Sequence, residues 1–335
     1  MPEAVVKVKE GVVPTKDTRI VLAGVVSVPP IAIGAWQWGD KHVWNWTPEA
    51  EKDANEAFDK AFELGIPFYD TAEVYGDGES EREISRFRQK YTQEQKEQQI
   101  IATKYFPHKH RTNFPDVLLS ALKDSLARLG TMNVDLYQIH AAIHPVEIEV
   151  VANALADAHE AGLVKTVGVS NYSKEEVQRM YDALKKRGVP LASNQVCFSL
   201  IRTLPEKSGL IKLCHDLGVA ILAYSPIGMG ILTGKFGSKG PWPEGRKETF
   251  DSLDTDQLER LLSVLKALSE KYQRPQSAIA LNWCIVKGTI PLGGARTAQH
   301  VEQNRMALNF RLNDSEVAEL DKHAFEGTTS EWKHG

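Results

Sequence analysis

Eight short runs rich in β-branched residues alternate along the chain with amphipathic, charge-laced stretches of helical length, and this alternation limits the fold more than any other feature. The runs are IAIGAW from Ile31, PFYDTA from Pro67, QIIATK from Gln99, VDLYQIH from Val134, VKTVGVS from Val164, LASNQVCF from Leu191, VAILAYS from Val219 and GTIPLGG from Gly288. Nearly continuous apolar runs fit strands buried on both faces, and helices between them imply parallel pairing. Eight strand–helix units in one uninterrupted chain predict an α/β fold, a parallel eight-stranded (β/α)8 TIM barrel, with a doubly wound sheet as the runner-up.

The intervening stretches carry helix boundaries. Thr47 or Glu49 opens one helix that stops before Gly65, a second runs from about Pro115 to Leu129 before Gly130, and Ser173 with Glu175 and Glu176 caps a third that ends at Arg187 before Gly188 and Pro190. Two pieces lie outside the count of eight: a VLAG/VSVP pair near residues 21–29, expected to be a hairpin plugging the barrel floor, and a final helix from about Asn313 to His323. No low-complexity stretch or linker interrupts residues 1–335, which read as a single domain. The Gly/Pro-rich connection from Gly230 to Asp254 is long enough to expect a function for it.

Composition narrows the function. With 40 Lys+Arg against 44 Asp+Glu the net charge is −4, so no broad basic surface for nucleic acid is expected. No apolar run reaches the length of a membrane span, and the charged start of the chain does not suit a signal-peptide core. Cys197, Cys214 and Cys284 are odd in number and far apart, which argues against a disulfide or metal framework. A soluble, cytoplasmic, monomeric protein without membrane or nucleic-acid partners is expected.

In a barrel of this kind the site lies at the carboxyl ends of the strands, so what terminates each run matters. The first run ends in Trp36 and the second in Asp70, followed by Tyr75; Lys104 ends the third and His140 the fourth. Ser170 and Asn171 end the fifth, the sixth carries Gln195, the seventh ends Tyr224-Ser225-Pro226, and the eighth leads to Gly293, Gly294 and Arg296. Any one of these alone is an ordinary boundary or core residue; at one end of successive strands they converge on one rim. Reducing a carbonyl requires a proton at the developing alkoxide as hydride reaches carbon. A phenol of ordinary pKa ~10 is a weak acid for this near neutrality. A neighbouring ammonium favours phenolate, and a carboxylate keeps that ammonium from standing alone when buried. Tyr75 is then the acid, Lys104 its tuner, Asp70 the anchor, and His140 the group that orients the carbonyl oxygen.

The segments FYDTAEVYG, IIATK, VDLYQIH, VGVSNY, AYSPIGMGILTGK and GARTAQHVEQN, in this order from about Ile31 to Leu320, resemble the aldo-keto reductases. The resemblance implies a TIM barrel that reduces an aldehyde or ketone with NADP(H), using a tetrad that matches Asp70, Tyr75, Lys104 and His140. It also implies a cofactor path. Ser170, Asn171 and Gln195 match residues that hold the nicotinamide carboxamide, Tyr224 matches the aromatic under the ring, and Trp36 and Asp70 are also counted among the cofactor-binding residues. Ser225, Pro226, Ile227, Gly228, Gly230 and Lys235 match the segment along the pyrophosphate; Gly294, Arg296, Gln303 and Asn304 match the adenosine end. Arg296 suits a 2′-phosphate, and Arg246 is a candidate second clamp. His300 stands where the family commonly has Arg or Gln, which weakens the argument for NADPH over NADH.

Trp36, Trp38, Trp46, Tyr75, Phe106, His140, Phe198 and Trp242 are the expected substrate-pocket walls, suited to an aromatic or apolar aldehyde. No metal site is expected, since His108 and His110 stand alone in a basic loop. Gly230–Lys235 is one residue short of a P-loop and lacks its final hydroxyl. A pyridoxal reductase is one specific alternative. Another is a cofactor-binding regulatory subunit like the potassium-channel β subunits, but these carry Asn where this chain has His140.

Overall fold

The computed structural model describes residues 6–327. Two strands, β1 (Ile20–Leu22) and β2 (Val26–Val28), pair antiparallel with Ile20 opposite Val28. The barrel strands follow: β3 (Ala32–Gly34), β4 (Phe68–Asp70), β5 (Ile100–Tyr105), β6 (Val134–Ile139), β7 (Val164–Ser170), β8 (Leu191–Cys197), β9 (Ala220–Tyr224) and β10 (Ile290–Gly294). They form a closed parallel barrel in chain order, with β10 pairing both β9 and β3. All eight predicted runs supply its strands. The β1–β2 pair is the expected hairpin; β2 joins β3 through three residues, so the pair lies at the amino-terminal end, where Ile20, Leu22 and Val28 are fully buried.

Local signals set the helices. Helix Pro48–Glu63 begins after Thr47, and helix Asp116–Leu129 ends where Gly130 takes a left-handed backbone. Ser173 and Glu176 form a reciprocal capping box for helix Lys174–Lys186, as Asn313 and Glu316 do for the final helix Asp314–His323. The 230–254 connection is not a plain loop: it contains short helical turns at Glu244–Arg246 and Lys247–Asp251. No helix among the described residues is long and apolar enough to cross a membrane.

Strand register positions the site. Gly34 stands opposite Asp70, Lys104 opposite Gln138, and Ser170 opposite Gln195. A cavity of about 360 Å³ lined by Lys16, Glu63, Arg274 and Arg305 opens at the amino-terminal end instead, beside the turn that precedes β4. Its arginines donate to backbone carbonyls, Arg274 to Met306 and Arg305 to Leu64, and so tie helix termini together.

Candidate active site

Lys104, wholly buried near the end of β5, is the centre of the site. Its Nζ donates to Asp70 Oδ1, to the Thr71 carbonyl at 2.9 Å and to the Tyr75 hydroxyl at 3.3 Å. Tyr75 lies in the turn between β4 and helix Glu79–Arg88. That turn requires Gly76, which has φ +56° and stands so close to the next loop that a Cβ would sit 2.5 Å from the Gly39 carbonyl. His140 follows β6, and its ring meets the Tyr75 ring edge-on at 5.6 Å. Its Nδ1 is buried without a hydrogen-bond partner. The four predicted catalytic side chains are therefore in one place.

The electrostatics differ from the sequence expectation in one respect. Burial pushes the Tyr75 phenol above its ordinary value; Lys104 pulls it down without overcoming burial. The phenol is thus held protonated beside the ammonium. Burial pulls Lys104 down, but Asp70 and Tyr75 outweigh it and leave the ammonium raised. Burial and the Lys104 charge hold His140 well below the usual imidazole value, so it is neutral near pH 7.

A second chain of hydrogen bonds crosses the rim. The Tyr224 hydroxyl donates to Asn171 Oδ1 at 2.9 Å; Asn171 Nδ2 donates to the His140 carbonyl and to Ser170 Oγ; Ser170 Oγ donates to the Gln195 carbonyl at 2.9 Å. Gln195 Nε2 reaches Asp70 Oδ2 at 2.9 Å, which joins this chain to the tetrad. Asn171 and Ser225 both take left-handed backbone, turning the chain sharply after β7 and β9. Gly228 also has positive φ, and a Cβ there would meet Ile201 at 2.7 Å. Pro226 is buried and Ile227 half-buried, Gly230 lies under Arg246, and Lys235 is exposed beside Phe236.

Arg246 donates to the Met229 carbonyl at 2.6 Å and lies over the Trp44 ring, 5.0 Å from its centroid, joining the loop after β9 to the loop after β3. Burial and the nearby Arg296 charge lower its pKa. Burial, Arg296 and Lys235 do the same to His300, whose Nδ1 meets the Thr297 hydroxyl at the start of helix Ala298–Arg305. Arg246, Arg296, Lys235 and His300 thus share one electrostatic neighbourhood. Gln303 is half-buried on that helix; Asn304 is buried and donates to the Gly294 carbonyl at 3.3 Å.

The expected pocket walls divide. Trp36 lies 6.3 Å from Tyr75, and Phe106 lies 5.5 Å from His140, so both border the tetrad. Trp46 is half-buried in the loop after β3, and Trp242 packs edge-on against Phe250 in the loop after β9. Trp38 and Phe198 are corrected: both are fully buried. Trp38 packs among Phe58, Tyr69 and Phe87 and donates to the Ala295 carbonyl; Phe198 stacks on Trp283 of the helix layer at 5.0 Å. The chain leaves β3 at Gly34 and β8 at Cys197, so strand alternation no longer dictates where these rings point.

Sequence reasoning missed two elements. Gln138 donates to Asp70 Oδ2 at 3.0 Å from inside β6. Glu73 accepts from the Phe106 amide at 2.6 Å and takes Arg111 in a two-pronged ion pair, pinning the loop after β5 against the loop after β4. Glu73 stands three residues beyond Asp70 inside FYDTAEVYG, a signal that was available.

The sequence profile of the aldo/keto reductase family matches residues 30–324. The chain is 35% identical to the chloroplastic pyridoxal reductase of Arabidopsis thaliana over 317 residues, covering 92% of this chain and 86% of that protein. The fold is similar to the glycerol dehydrogenase of Gluconobacter oxydans, with TM-score 0.80, 26% identity, and 91% and 94% of the two chains covered. It is also similar to a Bombyx mori aldo-keto reductase solved in complex with NADP, with TM-score 0.70, 25% identity, and 93% and 94% covered.

Proposed function

Since the chain belongs to the aldo/keto reductase family, we propose that it reduces an aldehyde or ketone to the alcohol with NADPH, and that Tyr75 is the acid. The observation that carries this reading is Lys104 bridging Asp70 and Tyr75 beside a neutral His140 whose buried Nδ1 has no partner.

The residues present fit the cofactor. The Arg246, Arg296, Lys235 and His300 neighbourhood suits a 2′-phosphate: burial first and then the neighbouring cations lower Arg246 and His300, and a phosphate offsets the second of these. Ser170, Asn171 and Gln195 offer amide and hydroxyl groups at the ends of β7 and β8, and Tyr224 offers a ring edge-bound through its hydroxyl. Reduced NADP bound there supplies a hydride. The protein does the rest. His140, neutral, donates one N–H to the carbonyl oxygen, and Tyr75 holds a proton at its hydroxyl. As negative charge grows on that oxygen the Tyr75 proton moves to it, and Lys104 stabilises the phenolate left behind. Asp70 balances Lys104 throughout, so no uncompensated ammonium is buried.

The substrate read from the walls is a flat aldehyde held between Trp36, Tyr75, Phe106 and His140. The similarity to a pyridoxal reductase makes pyridoxal the first compound to try. The test follows loss of reduced-cofactor absorbance with a panel of aldehydes including pyridoxal, with NADPH and NADH in parallel, for wild type and Tyr75→Phe. Turnover by wild type with NADPH, abolished in Tyr75→Phe while NADPH still quenches tryptophan fluorescence, is expected. Wild-type turnover in Tyr75→Phe would remove the acid assignment.

A further inference from the structure

Asp70 organises more than Lys104. Its Oδ2 accepts from Gln138 Nε2 at 3.0 Å and from Gln195 Nε2 at 2.9 Å. A carboxylate paired with an ammonium only accepts hydrogen bonds, so both amides must turn their NH₂ groups toward it. Gln138 then has its Oε1 left as an acceptor, and Gln195 Nε2 donates to it at 3.2 Å. Both N–H bonds of Gln195 are thereby used inside the barrel, one on Asp70 and one on Gln138. Gln138 is 0% and Gln195 2% exposed, so bulk water does not substitute for either bond. The backbone makes room for this arrangement: Gly168 stands opposite Gln138, and a Cβ at Gly168 would lie 3.2 Å from Gln138 Cγ and 2.4 Å from Ser193 Oγ. Gln195 is left with one group to offer, its Oε1.

We propose that Gln138 is a positioning residue that locks Gln195 in a single amide orientation, so that the nicotinamide subsite presents an acceptor and selects a ring substituent carrying an N–H. This rests on the reading that the chain binds NADP(H). Without Gln138, Gln195 keeps one N–H on Asp70 while its other N–H is released, so the amide can swing and offer that donor as well as its Oε1 toward the cofactor. An unpaired buried acceptor disfavours a ligand that brings no donor, by an amount on the order of tenfold in affinity.

The experiment compares binding of NADP with that of its 3-acetylpyridine analogue, whose methyl ketone has no amide N–H, by quenching of tryptophan fluorescence. Wild type is expected to bind NADP about tenfold or more tightly than the analogue. In Gln138→Leu, and in the unbranched Gln138→Met, the ratio is expected to fall below about threefold, with melting temperature showing that the barrel is intact. A merely structural role lowers both affinities together and leaves the ratio unchanged. A tenfold ratio retained in either folded variant overturns the proposal, and so does a wild type that binds both equally well. A wild type that binds neither strikes the proposed function itself and this inference with it.

Discussion

The ammonium of Lys104 stands 3.3 Å from the phenolic oxygen of Tyr75, on a side chain with no solvent exposure at all. Two consequences pull against each other. The charge is poised to stabilise a phenolate, yet the burial that makes it effective also keeps the phenol protonated. Burial and the ammonium thus act in opposite directions on the same phenol, and burial prevails.

Replacing Lys104 by Met separates stability from catalysis. Removing the ammonium leaves the Asp70 carboxylate buried beside two glutamine amides only, a loss on the order of 3–5 kcal/mol. Turnover is expected to drop roughly 10²–10⁴-fold, the range for a positioned proton-transfer group. The double variant Asp70→Asn with Lys104→Met regains much of the stability and none of the turnover. Urea unfolding and initial rates check this. Recovery of turnover in the double variant would show that Lys104 acts only by neutralising Asp70.

Acid stability is expected to depend on His215, which bonds the Gly288 carbonyl at 2.9 Å. Burial, with the Lys7 charge, lowers its pKa to about 4. Between pH 6.5 and 4 the unfolded chain binds a proton that the folded chain does not, so stability falls as pH falls through this window, by up to about 3 kcal/mol. His215→Gln keeps a donor for Gly288 and is expected to flatten that part of the curve, measured by urea unfolding at several pH values. An unchanged slope would place the titration elsewhere.

Much of this protein was legible before any fold was seen. Asp70, Lys104 and His140 each end an apolar run, and run ends are local signals that the barrel brings to one rim. What was not legible depends on depth and on partners distant in sequence. Gln138 sits inside VDLYQIH, and its partner Asp70 lies 68 residues away. Trp36 and Trp38 are two residues apart, a spacing that shares a face only while a strand continues; β3 ends at Gly34, and one ring borders the tetrad while the other enters the helix layer. The direction of the Tyr75 shift is a contest between burial and an ammonium, and composition carries no information on which prevails.

Cofactor choice is expected to follow the cationic neighbourhood. Arg296→Ala should weaken NADPH binding about 10- to 100-fold and leave NADH nearly unchanged, since only the former carries the 2′-phosphate. His300 adds a pH dependence. In the free protein burial, Arg296 and Lys235 hold it below the usual imidazole value. A bound phosphate raises it from there, so NADPH binding takes up a proton and tightens as pH falls from neutrality toward the usual imidazole value of about 6.5. His300→Arg should bind NADPH tightly across that range. Fluorescence titrations at each pH decide it, and equal slopes for NADPH and NADH would exclude His300 from the phosphate.

The Glu73–Arg111 pair offers a test of whether Phe106 is a wall of the proposed substrate pocket. Glu73 bonds the Phe106 amide and both terminal nitrogens of Arg111, while Arg111 donates to the Phe106 carbonyl and lies over the Tyr105 ring, 4.9 Å from its centroid. Phe106 is thus fixed from both sides of its backbone, and its ring meets His140 at 5.5 Å. None of these groups touches the Lys104–Tyr75 hydrogen bond, so loosening the clamp moves the wall and spares the acid. Glu73→Gln keeps an acceptor for the amide but loses the ion pair, with Arg111 left half-buried without its carboxylate. The expected result is a KM for aromatic aldehydes raised about tenfold with kcat changed less than about threefold, as for lost uniform binding. Small aliphatic aldehydes, which do not reach Phe106, should show little change in KM. If kcat fell instead and KM held for both classes, the clamp would be setting His140 rather than the wall.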